Sequence, residues 1–184
     1  MSDDALGRHF VELGRQNRWA NDRLHAACAR LPDAERKAPR TSFFGSIHRT
    51  LAHILVVDLY YVGTLADGQA PYPADDEEER HPDFDRLRAA QEASDRRLIA
   101  WCEALTPERI AGDVTFVRDG GRRVPERVVD VLPHLFLHQV HHRGQVHAML
   151  SGTSVAPPQL DEYFLTLDTE LRADELRRLG LPVR

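Results

Sequence analysis

Four long segments of this sequence carry apolar residues at helical spacing, and this pattern constrains the fold more than any other feature. The segments cover about residues 3–30, 43–66, 83–105 and 125–150, and Ser42 or Ser46 is a candidate N-cap for the second. Apolar side chains that recur every three or four residues turn one face of each helix towards a core. A chain of 184 residues can bury such a core as one domain over residues 1–184. We therefore predict an all-α fold, an antiparallel four-helix bundle.

The stretch before the fourth segment has the composition of strands rather than of a helix. Residues 114–117 and 123–124 include several β-branched residues and flank an Asp-Gly-Gly sequence that is typical of a glycine turn. We predict a short β-hairpin-like excursion that packs on the helices, with Pro125 at the start of the fourth helix. Residues 69–82 hold prolines and an acidic run, which favours a solvated loop. A final short helix is expected around residues 169–178.

Charge and composition exclude several classes of function. The net charge is −5 and the pI is near 6.0, so we expect neither a nucleic-acid partner nor a membrane partner. The acidic N-terminal residues lack the apolar core of a secretory signal. Cys28 and Cys102 cannot form a disulfide framework, and no local motif activates either thiol. We expect a cytoplasmic protein in which both cysteines are buried and inert.

Histidine is the chemically unusual component of the sequence. Five of the ten histidines fall within fourteen residues of the fourth segment: His134, His138, His141, His142 and His147. His138 and His142 replace apolar residues in the middle of the stripe, and their i, i+4 spacing puts both imidazoles on one face, one turn apart. That spacing allows them to bind one metal ion. The alternative is a pair of core histidines that hydrogen-bond to the backbone or to each other, and the spacing leaves both possibilities open.

A third histidine, in the second segment, would complete a metal site. His53 is flanked by leucine, alanine and isoleucine, where an imidazole without a partner is unfavourable. In a bundle, a residue at this position can face the middle of the fourth helix. His48 is the competing candidate, but it lies five residues earlier and projects from another side of the helix. Three imidazoles with open positions beside them would suit Zn²⁺, Ni²⁺ or Fe²⁺.

Several stretches of the sequence resemble the DinB/YfiT-like family of metal-dependent enzymes, the damage-inducible family of that name rather than the DNA polymerase. They are residues 46–65, HQVHHRGQVHAMLSG at 138–152, the glycine turn of the hairpin, and PPQLD at 157–161. The resemblance spans essentially the whole chain. It implies a four-helix bundle, often dimeric, with one metal ion bound near its middle by His53, His138 and His142. Relatives in this family include transferases and isomerases that use a low-molecular-weight thiol, mycothiol or bacillithiol.

The preferred interpretation is a metal-dependent enzyme that acts on a small-molecule substrate. A divalent ion would activate either a low-molecular-weight thiol, for S-transfer or isomerisation, or water, for hydrolysis. His141, next to a predicted ligand, is the candidate catalytic base. The alternative is a non-catalytic metal-binding stress-response module, which a fourth protein ligand to the metal would favour. A third hypothesis, a helical scaffold with core histidines, predicts no bound metal.

Four residues near the histidines receive structural predictions. Arg143 is expected to lock helices together through an ion pair, with Asp58 as a candidate partner, and the alternative is that it binds an anion near the site. Tyr60 and Tyr61 are expected to pack in the core with their hydroxyl groups hydrogen-bonded, and the alternative is that one of them lines the mouth of the pocket.

Overall fold

The structure is a computed structural model and describes residues 3–73, 77–166 and 168–183. Over these residues the chain is mostly helical, with seven α-helices and one two-stranded antiparallel sheet. The helices are α1 Asp3–Ala29, α2 Asp33–Lys37, α3 Ile47–Asp67, α4 Phe84–Glu103, α5 Pro107–Ala111, α6 Val128–Leu150 and α7 Thr169–Leu179. The strands are β1 Asp113–Val117 and β2 Arg123–Arg127, and 3-10 turns cover Glu77–Arg80 and Asp119–Gly121.

Local signals fix both ends of α3. Ser46, not Ser42, is its N-cap, and the Ser46 hydroxyl accepts a hydrogen bond from a backbone N–H of the first turn at 3.1 Å. The helix therefore begins at Ile47, four residues after the predicted start at 43. Gly68 ends it with a φ of 79°, a left-handed conformation that glycine adopts without strain.

The four long helices pack beside one another and enclose the core. α1 contacts α4 and α6, and α3 contacts the same two helices. Buried apolar side chains between them form two clusters. The first includes Phe10, Leu98, Phe116 and Leu132, and the second includes Leu24, Leu51, Leu87 and Val146. Because each of the four long helices contributes to both clusters, the long helices share one interior.

A layer of buried polar side chains separates the two apolar clusters. Arg143 of α6 lies in this layer, only 3% exposed, and its Nη1 donates to the side-chain oxygens of Asn17 and Asn21 on α1. Both asparagines donate in turn to Asp95 of α4, at 3.2 Å and 2.9 Å. The predicted role of Arg143 is therefore confirmed, since it links α6 to α1 and, through the asparagines, to α4.

Asp58 of α3 belongs to the same layer but is not directly bonded to Arg143. Its Oδ2 accepts a hydrogen bond from Gln91 at 2.6 Å, and Gln91 also donates to Asp95 at 3.2 Å. Burial raises the pKa of Asp58 to about 7 and that of Asp95 to about 6, while the Arg143 charge acts in the opposite direction on both. Arg143 and Asp58 thus interact through the electrostatic field of the layer rather than through the direct pair that was expected.

The predicted hairpin is present, and its pairing corrects the start of the last long helix. Thr115 lies opposite Pro125, and Asp113 lies opposite Arg127, so the ladder continues to residue 127. The prediction that Pro125 opens the helix is wrong: Pro125 lies within β2, and α6 begins at Val128. Proline is tolerated in an edge strand as well as in the first turn of a helix, so its presence alone cannot distinguish the two.

The remaining segments agree in part with the predictions. The final short helix is confirmed as α7, whereas the short helices α2 and α5 were not predicted. Of the predicted solvated loop, residues 74–76 lie outside the described residues, and Glu77–Arg80 forms a 3-10 turn. Among the helices that the structure describes, none is both long enough and apolar enough to cross a membrane.

Candidate metal centre

The packing of α3 against α6 brings the three predicted metal ligands together. His53 projects from α3, and His138 and His142 project from successive turns of α6. Each offers one ring nitrogen, and these nitrogens all lie within 4.8 Å of one another. Nε2 of His53 and Nε2 of His138 are 3.1 Å apart. We call these three residues the histidine triad.

The donor atoms of the triad fit a divalent transition-metal ion. Imidazole nitrogen is a common ligand of zinc, nickel and iron. Within the described part of the chain, no further histidine, cysteine, aspartate or glutamate belongs to the cluster. Three protein ligands would leave at least one coordination position for water or substrate. His48, the competing candidate, lies elsewhere, and its Nε2 contacts the carbonyl oxygen of His81 at 2.7 Å.

Two members of the triad are held in the neutral form that binds metals. Burial, together with the neighbouring His142 and His53, lowers the pKa of His138 to about 3. Burial likewise lowers the pKa of His142. Because a protonated imidazole has no lone pair to donate, these lowered pKa values keep both rings available as ligands at neutral pH.

Two side chains outside the triad orient its rings. Phe44 stacks on the His53 ring with 4.0 Å between ring centroids, and it meets the His142 ring at a steep angle, 5.5 Å away. Nδ1 of His142 lies 3.0 Å from Oε1 of Gln145. Because an amide oxygen only accepts, His142 donates from Nδ1, which leaves the lone pair on Nε2. Neither role was predicted, although Gln145 lies three residues after His142, a spacing that brings side chains together on a helix.

His141, the predicted catalytic base, lies beside the triad on the exposed face of α6. Its ring centroid is 4.7 Å from that of His142, and its Nε2 accepts a hydrogen bond from Nε2 of Gln145 at 3.1 Å. His141 is therefore connected to His142 through Gln145. It does not line the cavity next to the triad.

A cavity of about 350 Å³ adjoins the triad. His53 and His138 form part of its wall, and the remainder is mainly apolar and aromatic: Val56, Val57, Tyr60, Tyr61, Tyr72, Pro73, Arg118 and His134. A space of this size can enclose a small organic molecule next to the triad. Arg118 and Tyr72 were not predicted to line a site, because only the folded chain brings the hairpin and the segment after α3 to this place.

The structure confirms the burial predicted for the tyrosines and cysteines, and both tyrosines also line the cavity. Tyr60 and Tyr61 are buried, and the Tyr60 hydroxyl donates to the carbonyl oxygen of Val117 at 2.8 Å. Cys28 and Cys102 are free and buried, and burial raises the pKa of each thiol to about 12. Thiols that remain protonated at neutral pH are poor nucleophiles.

The chain is similar to known proteins over most of its length. The sequence model described as the DinB family matches residues 1–173. Protein DinB of Bacillus subtilis (strain 168) is 25% identical over 177 residues, which cover 92% of this chain and 99% of that protein. The family match extends from α1 into α7, so it includes the whole triad and every described residue that lines the cavity.

Proposed function

This chain belongs to the DinB family, and from that membership and the geometry of the triad we propose that it is a divalent-metal-dependent enzyme. In this proposal residues 1–184 form one domain, and α1, α3, α4 and α6 form a four-helix bundle. His53, His138 and His142 bind one Zn²⁺, Ni²⁺ or Fe²⁺ ion. The observation that carries the proposal is the convergence of three imidazoles, two of which line a cavity large enough for a small molecule.

The residues around the triad are suited to support metal chemistry. A divalent ion held there would lower the pKa of a bound water towards about 7, or deprotonate a bound thiol. Gln145 and Phe44 orient the imidazoles of His142 and His53, so that these two rings need little rearrangement when they bind a metal. The aromatic wall of the cavity would shield a small-molecule substrate from bulk water.

The reaction that we favour is the transfer of a low-molecular-weight thiol to an electrophilic small molecule, in line with the resemblance to thiol-dependent enzymes. A bond forms between the thiol sulfur and the electrophilic carbon. The bond from that carbon to the leaving group breaks, and the leaving group departs with the electron pair. His141 is our candidate for accepting the thiol proton, because it is the exposed histidine next to the ligand His142. Its Nε2 would have to exchange the hydrogen bond from Gln145 for that proton. Thiol-dependent isomerisation and hydrolysis are the alternative reactions of the same site.

A non-catalytic metal-binding stress-response module is the alternative function. Such a module has no need of a substrate cavity, and a fourth protein ligand would close its metal site. The cavity next to the triad favours the enzyme. We also propose a cytoplasmic homodimer: a reducing compartment suits the free Cys28 and Cys102, and the exposed Leu137 and Val140 of α6 offer an apolar contact surface.

Elemental analysis of protein purified without an affinity tag tests the metal site. We expect about one equivalent of metal in the wild type and its loss in His53→Ala and His138→Ala. His134→Ala is the matched control, because it removes an exposed imidazole of the same helix that is not part of the triad. A wild-type protein that stays free of metal after incubation with Zn²⁺, Ni²⁺ and Fe²⁺ in turn would overturn the proposal.

Activity is then measured with the metal-loaded protein, a thiol and an aryl chloride. Release of chloride with loss of free thiol, abolished in His142→Ala, would support thiol transfer. If the protein binds one equivalent of metal but catalyses neither thiol transfer, nor thiol-dependent isomerisation, nor ester hydrolysis, the non-catalytic alternative is favoured.

A further inference from the structure

One permanent positive charge faces the cavity next to the triad. Among the described residues that line it, Arg118 is the only arginine or lysine, and none is acidic. The carboxylate that Arg118 does contact, that of Glu126, lies 3.5 Å from Nη2 and lines an adjacent cavity instead. The described residues that line the cavity next to the triad therefore provide a cation and no carboxylate.

The fold holds the Arg118 guanidinium in place before any ligand binds. Its Cζ lies 5.1 Å from the ring centroid of Phe116 and 5.9 Å from that of Tyr60, within the range of cation–π attraction. Both rings are themselves buried. The backbone N–H of Arg118 donates to the carbonyl oxygen of Arg122 at 2.8 Å, which closes the hairpin turn. A cation that is positioned in this way loses little conformational entropy when it binds an anion.

Arg118 and the triad lie in different parts of the cavity. Arg118 and Tyr61 also line the adjacent cavity, which the triad does not reach. Tyr61 follows His53 by eight residues on α3, which is about 12 Å along the helix axis. The wall between them is apolar and aromatic, formed by Val56, Val57, Tyr60 and Tyr72.

We propose that this cavity binds a small organic anion with an apolar or aromatic body. Its carboxylate or similar group pairs with Arg118, and its body lies along the tyrosine wall with the far end next to the triad. The forked N–H groups of a guanidinium match the two oxygens of a carboxylate. This inference rests on the proposed function and specifies the substrate class for the same site.

The test compares benzoate with benzamide, a neutral molecule of nearly the same shape, by calorimetry on metal-free protein. We expect benzoate to bind about tenfold more tightly, which corresponds to about 1.4 kcal/mol. Arg118→Gln should abolish this preference, whereas Arg118→Lys should keep part of it. Arg122→Gln should keep all of it, because Arg122 is an exposed arginine of the same turn that does not line the cavity. Added salt should weaken the binding of benzoate but not that of benzamide.

The outcomes separate this inference from the proposed function. Equal binding of the two probes by the wild type, or an unchanged preference in Arg118→Gln, would overturn the inference. Metal binding without a preference for benzoate would defeat the inference alone, and a preference for benzoate in a protein that binds no metal would defeat the proposed function alone. If Arg118→Gln does not fold by circular dichroism, the salt dependence and Arg118→Lys decide.

Discussion

Replacing Arg143 with leucine should reveal how strongly the buried polar layer stabilises the fold. Arg143 is 3% exposed, and its guanidinium donates to Asn17, Asn21 and Gln139. Leucine would leave three buried amide oxygens without this donor and would remove the cation that faces two buried carboxylates. Breaking a buried charge pair on one side costs about 3–5 kcal/mol. We expect a loss of that size in the free energy of unfolding at pH 8.

The loss should depend on pH. In the folded state, burial raises the pKa of Asp58 to about 7 and that of Asp95 to about 6, above their ordinary value of 3.8. Between about pH 4 and pH 7 the folded state therefore binds more protons than the unfolded state, and these two groups make stability fall as pH rises. Without Arg143 both pKa values should rise further. The variant should then be nearest to the wild type at pH 5 and furthest from it at pH 8.

Urea unfolding of the metal-free proteins, followed by far-ultraviolet circular dichroism at pH 5 and pH 8, measures both effects. The matched control is Arg96→Leu, which removes an exposed arginine paired with Glu92 on α4. Loss of an exposed pair should change stability by less than about 1 kcal/mol. A cost for Arg143→Leu below about 1 kcal/mol, equal at both pH values, would refute the account of Arg143 as the counter-ion of the layer.

Two further predictions concern the triad and the cysteines. Gln145→Leu should weaken metal binding about 10–100-fold, because His142 loses the acceptor for its Nδ1 hydrogen. Competition with a chromophoric chelator measures the affinity, and Gln69→Leu, which changes an exposed glutamine, should leave it unchanged. An unchanged affinity in Gln145→Leu would show that this hydrogen bond does not orient the ligand. Cys28 and Cys102 should resist alkylation by iodoacetamide in the folded protein at pH 8 and react after unfolding. The reason is that burial raises the pKa of each thiol to about 12. Rapid labelling of either thiol in the folded protein would contradict this prediction.

The histidine triad could be anticipated because its signals are local. His138 and His142 are one turn apart on a single helix, and both interrupt an apolar stripe. His53 interrupts another stripe in the same way. The pairing of these two stripes needed only the expectation that long amphipathic helices pack together, and the contact of α3 with α6 meets that expectation.

The polar layer could not be anticipated as a unit, because each helix contributes only one or two of its members. A single asparagine, glutamine or aspartate on an apolar face is also compatible with a position at the edge of the core. Asn17, Asp58, Asp95 and Arg143 are far apart in sequence, and only the packing of the four long helices makes them neighbours. The same reason applies to Arg118, which reaches the cavity through the tertiary position of the hairpin.

The central claim is an open metal site with three imidazole ligands, and X-ray absorption spectroscopy of the metal-loaded protein tests it most directly. With Zn²⁺ we expect scattering from three imidazole nitrogens at about 2.0–2.1 Å, and an exchangeable oxygen ligand that an added thiol replaces with sulfur. His142→Ala should reduce the imidazole contribution by one ring. A fourth protein ligand, or a spectrum that His142→Ala leaves unchanged, would contradict the claim that this triad forms an open metal centre.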